Sequence, residues 1–283
     1  MLGQKLPPLD ARLLVMLVDE DVGAVTNRWL AEKDFSRVKT GLLLLRRIYG
    51  IEPLLIAVPA SLSSERKGTL ELFGRVLPVM ERYPQVRAEM VLRDNRTEAA
   101  GPTFVIDAAR VVAAGEAVAD GAAVTTMQVS LRYGKKAQTR LFQVPVGMRV
   151  GDLLASCGIP VGAGTMVVLG GDMCGVAADS LGQPLMPGSS TVAVYDDRET
   201  AVPETESCVN CGRCYRNCPA RLRVDLLGRA VEFTKDDELA RLGILQCIDC
   251  GVCAAVCMVR RPLAHLMAYG KQRMKLFGGD VAS

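Results

Sequence analysis

Cys208-Val-Asn-Cys211-Gly-Arg-Cys214-Tyr-Arg-Asn-Cys218 and Cys247-Ile-Asp-Cys250-Gly-Val-Cys253-Ala-Ala-Val-Cys257 are separated by the 28 residues 219–246. They hold eight of the ten cysteines in the chain. Pro219 follows the first run and Met258 the second. Three cysteines at two-residue spacing and a fourth three residues on form the bacterial-ferredoxin run for iron–sulfur ligation. A short loop with a central glycine, Gly212 or Gly251, curls three thiolates around one face of a cube. The fourth cysteine points away and serves the other cube. The spacing therefore predicts two 4Fe–4S clusters, one on Cys208, Cys211, Cys214 and Cys257, the other on Cys247, Cys250, Cys253 and Cys218.

Zinc ribbons also use paired C-x2-C units, but a third and fourth cysteine in both halves exceed what a tetrahedral ion needs. A disulfide framework suits a small secreted chain rather than one of 283 residues. That length allows two or three compact units, and 49% hydrophobic residues can give each a core. The net charge of +3, from 34 basic and 31 acidic side chains, is too balanced to indicate a nucleic-acid partner. Charges interrupt every apolar stretch, as Arg110, Glu116 and Asp120 do within 108–124, so no membrane span is expected. The start, Met1 to Pro8, has neither a basic n-region nor an apolar h-region. Together with reduced thiols this points to the cytoplasm.

The run Leu13-Leu14-Val15-Met16-Leu17-Val18 predicts a strand buried on both faces of a parallel sheet. A helix over 26–49, ended by Gly50, follows, then a second buried strand over 54–58. Ser61, Ser63 or Ser64 caps a helix running to about Arg82, with Gly74 and Pro78 as weak points, and 88–92 reads as a third strand. This order implies a small parallel, Rossmann-like α/β layer. No G-x-G-x-x-G follows any of its strands and there is no P-loop, so it reads as a scaffold without a nucleotide. Residues 104–114 fit a helix or a strand edge equally.

From Thr125 the hydrophobic period becomes two. Strands over 127–132 and 139–144 flank a turn at Tyr133-Gly134-Lys135-Lys136, a short helix covers 150–157, and strands cover 165–169 and 191–195. These make a compact α+β unit. Its Gly170-Gly171-Asp172-Met173-Cys174-Gly175 loop is either a binding loop or a tight turn, and Cys157 and Cys174 read as core or loop thiols. Asp196 to Glu206 is an acidic linker. Helices are expected over 222–233, 236–245 and 262–276; His265, the only histidine, is a surface or packing residue on the last. Arg213, Arg216, Arg221, Arg223, Arg260 and Arg261 crowd the cysteine runs. They raise a reduction potential, dock an acidic partner, or are ordinary solvated charge.

With the doubled cysteine run, the hairpin-helix unit and the 170–175 glycine loop, the chain resembles the C component of the Rnf electron-transport complex (Rnf-C) and the related cobalamin reductase PduS. That resemblance implies three domains: a flavin/NADH-type α/β domain at 1–123, a soluble-ligand-binding (SLBB-like) β-grasp domain at 124–200, and a helical ferredoxin domain at 201–283. The family's flavin site has an N-terminal barrel-like region, a glycine-rich flavin loop and an N-G-A-E-C-E-P stretch after the first strand. The matching stretch here is Leu17-Val18-Asp19-Glu20-Asp21-Val22-Gly23, in which Glu20 alone fits. These departures argue against bound FMN and for a degenerate flavin/NADH domain. The resemblance then implies a subunit that relays single electrons between a partner flavoprotein, ferredoxin or other iron–sulfur subunit and a further redox centre. Its host is an oxidoreductase complex, either cytoplasmic and peripheral to a membrane or within a bacterial microcompartment. Two rival readings are a self-sufficient NADH- or flavin-dependent reductase, for example of a corrinoid, and a docking protein with structural clusters. No acid–base or nucleophilic constellation stands out, so no catalytic residue is assigned.

Overall fold

Leu13, Leu14, Val15 and Met16 of the first strand are each at most 2% exposed, because helices cover both faces of the sheet that this strand centres. The computed structural model describes residues 12–50, 54–96, 103–121, 123–134, 138–196 and 207–277, which fall into two units, 1–200 and 201–283. The first unit runs β1 (Arg12–Met16), α1 (Thr26–Lys33), α2 (Phe35–Tyr49), β2 (Leu54–Pro59), α3 (Ser64–Glu71), β3 (Arg75–Val79), α4 (Ala88–Asp94), β4 (Thr103–Asp107) and α5 (Ala108–Asp120). All four strands are parallel, in the order β3-β2-β1-β4. Because side chains alternate along a strand, Leu13, Val15 and Leu17 meet Leu30, Val38, Leu42 and Val111 on one face. Leu14, Met16 and Val18 meet Leu77, Val86 and Val91 on the other.

The α/β layer is as expected, but its third strand lies elsewhere. Residues 88–92 are helical, and β3 occupies 75–79, inside the span read as helix to Arg82. Two close constraints explain this. Gly74 runs so near Leu54 that a Cβ there would sit 2.4 Å from the Leu54 carbonyl oxygen, which ends the helix and starts a strand. Pro78 is tolerated because β3 is an edge strand with one unpaired side. At 88, the Glu20 carboxylate accepts the Ala88 N–H at 2.8 Å and supplies a helix start that nothing nearby in sequence announces. The helix read over 26–49 is broken at Asp34, whose φ of −127° leaves the helical region. Residues 104–114 prove to be both alternatives. β4 ends at Asp107, whose side chain accepts the Arg110 N–H at 2.7 Å and caps α5.

The unit continues through β5 (Thr126–Tyr133), β6 (Gln138–Pro145), α6 (Val150–Ser156), β7 (Met166–Leu169), β8 (Val176–Ala177) and β9 (Thr191–Tyr195). These strands form a mixed sheet of order β6-β5-β9-β7-β8, with β5 antiparallel to β6 and parallel to β9. Leu153 and Leu154 of α6 pack on Val129, Leu131, Val167 and Val192, giving the α+β arrangement expected. Part of the Tyr133–Lys136 turn, the 197–206 part of the acidic linker and the chain start lie outside the described residues.

The second unit contains α7 (Arg213–Arg216), α8 (Val224–Glu232), α9 (Asp236–Arg241), a 3-10 turn (Ile244–Gln246), α10 (Val252–Ala255) and α11 (Leu263–Phe277). Its core joins Leu222, Leu227, Val231, Leu239, Ile244, Leu263 and Met267. Among the described residues, no helix is long and apolar enough to cross a membrane.

Candidate metal centre

The second unit is built twice. Each cysteine of the first run recurs 39 positions on, from 208 to 247. α7 matches α10, and the first residue of α8, Val224, matches the first of α11, Leu263. The left-handed residues match as well: Asn210 with Asp249, Gly212 with Gly251, and Arg221 with Arg260, all at φ between 51° and 72°. At Gly212 the requirement is steric too, since a Cβ would come within 2.7 Å of the Tyr215 ring. The fourth cysteines match in their hydrogen bonds. Cys218 Sγ accepts the Leu222 N–H at 3.4 Å, and Cys257 Sγ accepts the Arg261 N–H at 3.4 Å. Such N–H donors stabilise negative charge on sulfur.

Cys208, Cys211 and Cys214 line one cavity together with Cys257, 43 positions beyond Cys214 in sequence. The other four also share a neighbourhood, for Cys253 lies within electrostatic reach of Cys247, Cys250 and Cys218. Burial pushes the Cys253 thiol up to about 12 and Cys247 up to about 11. It also raises Cys214. Cys208 moves the other way. The backbone N–H of Asn210 holds it below the usual thiol range, helped by the Arg261 and Arg229 guanidinium groups. Thiols raised by burial lose their protons only to a positive centre that takes the charge, as a metal ligand must. The all-thiol donor set and the N–H donors on sulfur fit 4Fe–4S clusters. Among the described residues no group of three or more His, Cys, Asp or Glu side chains is gathered for a single metal ion.

Several supporting residues escaped the sequence reading. Arg229 donates to Asn210 Oδ1 over the first loop, and Lys271 donates to the Cys247 carbonyl at 2.7 Å in the second. Arg229 is exposed on α8 and Lys271 half-buried on α11, and neither helix carries a local sign of a long-range partner. His265 is exposed on α11. Cys157 packs beside the mixed-sheet core, and Cys174 Sγ lies 3.2 Å from the Tyr83 hydroxyl.

The acidic stretch after β1 is engaged with backbone. Asp19 accepts the N–H groups of Asn27 and Arg28 at 2.9 and 3.1 Å, Glu20 that of Ala88, and Asp21 those of Met173 and Cys174 at 2.9 and 2.8 Å. The 170–175 loop is thus a tight, anchored turn, with Gly170 and Gly171 at φ of 103° and 113°.

Residues 201–258 match the family model of the 4Fe-4S dicluster domain. The second unit accordingly carries iron–sulfur chemistry, in a chain whose first unit is a parallel α/β layer and a mixed sheet. The chain is 22% identical over 239 residues to the C component of the proton-translocating ferredoxin:NAD(+) oxidoreductase complex of Clostridium ljungdahlii, covering 78% of this chain and 52% of that one. It is 23% identical over 173 residues to the C component of the ion-translocating oxidoreductase complex of Buchnera aphidicola, covering 61% and 37%. The chain is thus similar at low identity to these C components, and spans about half or less of their length. The fold resembles crystal structures of NAD+-reducing NiFe-hydrogenase in the H2-reduced and air-oxidized states, with TM-scores of 0.56 and 0.51 at 15% and 16% identity. Those matches cover 94% of this chain and 55% and 48% of the respective hydrogenase chains.

Proposed function

We propose that this chain is an iron–sulfur electron-transfer subunit of an oxidoreductase complex. Two 4Fe–4S clusters pass single electrons between a partner flavoprotein, ferredoxin or iron–sulfur subunit and a further redox centre. One cluster is held by Cys208, Cys211, Cys214 and Cys257, the other by Cys247, Cys250, Cys253 and Cys218. The observation that supports this reading is the 39-residue repeat, which puts four cysteines in each half, sets Cys257 on the cavity lined by Cys208, Cys211 and Cys214, and gives each fourth cysteine an N–H donor to sulfur. The clusters supply reversible one-electron chemistry when bound. The chain supplies thiolates, a buried setting for Cys250 and Cys253, and guanidinium groups beside Cys208.

In this reading the α/β layer at 1–123 is a scaffold that has lost the flavin and NADH site, and the β-grasp at 124–200 is retained. Support comes from Asp19, Glu20 and Asp21, whose carboxylates are occupied by backbone N–H groups. The family likeness favours a cytoplasmic place, peripheral to a membrane complex or inside a microcompartment.

Anaerobic purification tests the reading. About eight irons per chain and reversible signals in electron paramagnetic resonance are expected. About four irons or fewer, zinc alone, or clusters that cannot be reversibly reduced overturn it. A flavin band with NADH-driven bleaching would instead make the chain a reductase in its own right.

A further inference from the structure

The internal repeat allows the two halves of the second unit to be compared on one backbone. Arg213 and Arg216 on α7 correspond to Val252 and Ala255 on α10, and Arg223 corresponds to Pro262; Arg221 alone has a cationic mate, Arg260. The backbone therefore does not demand these charges, since the second half forms the same turns without most of them.

Arg213, Arg216 and Arg221 are exposed, and among the described residues none of them forms an ion pair. Four acids of the same unit pair with other cations: Asp225 with Arg223, Glu232 with Arg261, Asp236 with Arg273 and Asp249 with Lys271. Only Arg216 has a local task, donating to the Cys211 carbonyl and lying over the Tyr215 ring. Access differs in the same sense. Val209 and Met258, chain neighbours of Cys208 and Cys257, are 57% and 56% exposed, while Cys250 and Cys253 of the other group are buried.

We propose that Arg213, Arg216 and Arg221, exposed on and just after α7, form the docking face for an acidic electron-transfer protein. Electrons then cross at the thiol group containing Cys208. The proposal rests on the electron-relay reading. An exposed cationic surface without ion-pair partners concentrates an anionic partner and accelerates its encounter, by roughly 10- to 1,000-fold at low salt.

The experiment uses the full chain with its clusters, mixed in stopped flow with a reduced bacterial ferredoxin of net negative charge. Arg213→Glu/Arg221→Glu spares the Arg216 contact with Cys211; Arg213→Gln/Arg221→Gln is the milder form; Arg241→Glu/Lys275→Glu changes net charge equally, at exposed positions of other helices. The Glu pair at 213 and 221 is expected to slow second-order reduction about tenfold at low ionic strength and abolish its salt dependence. The Gln pair should fall between, and the control pair should stay within about twofold. Equal slowing in the control, or slowing that tracks shifted cluster potentials, overturns the docking face. If a small neutral reductant cannot reduce the wild-type clusters, the relay reading falls and the docking face with it. If it can, yet the ferredoxin rate ignores positions 213 and 221, the docking face alone falls.

Discussion

Asp21 and Cys174 are 153 positions apart, yet the Asp21 carboxylate accepts the Cys174 N–H at 2.8 Å. The same carboxylate accepts the Met173 N–H at 2.9 Å, so one side chain after β1 fixes the turn between β7 and β8. A charged acceptor on two amides is worth more than a neutral one. Asp21→Ala should cost about 2 kcal/mol of stability and raise hydrogen exchange at the Met173 and Cys174 amides. A urea midpoint and exchange rates equal to wild type would show that the anchor does not matter.

Burial raises Asp19 from 3.8 to about 6 despite the two N–H groups it accepts. A carboxyl group whose folded value is raised binds more protons folded than unfolded. Its stabilising contribution is complete below pH 3.8 and is lost as pH rises through about 6. Burial raises Glu20 in the same direction. Carboxyl-carbon NMR should show an Asp19 midpoint near 6, and Asp19→Asn should flatten the fall in stability across that window, on the order of 3 kcal/mol. An Asp19 midpoint near 4 would contradict this.

α2 and α5 meet through glycines. A Cβ on Gly41 would sit 2.1 Å from the Val111 carbonyl oxygen, and one on Gly115 would sit 2.7 Å from Gly41 Cα. Neither obstacle is a flexible side-chain end. Gly115→Ala should therefore force the helices apart and cost about 1–3 kcal/mol, outweighing the better helix propensity of alanine. The surface change Gly121→Ala offers no comparison because its φ is 63°, whereas Gly68→Ala on α3 meets nothing within 4 Å and should stabilise slightly. Thermal midpoints falling for 115 and rising for 68 would bear this out.

Replacing Cys257 tests the crossed ligation. Cys257→Ala should remove the same paramagnetic signal as Cys208→Ala, although Cys257 lies in the second cysteine run, and Cys218→Ala should match Cys247→Ala. Pairing by run, with Cys257 grouped with Cys247, would refute the assignment.

The cysteine spacing was legible because ligand geometry repeats locally, within the eleven residues of each run. β1 and β2 were legible because a doubly buried strand is apolar at consecutive positions. The third strand was not. Arg75 to Val79 has exposed positions and a proline, and only its place at the sheet edge beside β2 makes it a strand. Ala88 to Asp94 was misread because its helix start depends on Glu20, sixty-eight positions earlier. Arg229 and Lys271 were missed because a guanidinium or ammonium on a helix has the same local sequence whether or not it reaches a cluster loop.

The order of residues alone determined that eight thiols come in two ferredoxin-type runs and that a parallel layer precedes an α+β unit. Both follow from short-range spacing, which local backbone geometry turns directly into structure. Tertiary packing alone decided which distant groups meet: Asp21 with the 173–174 amides, Glu20 with the Ala88 amide, and Lys271 with the Cys247 carbonyl. Those depend on where chain segments far apart in sequence come to rest, a choice made by burial and hydrogen-bond satisfaction over the whole unit.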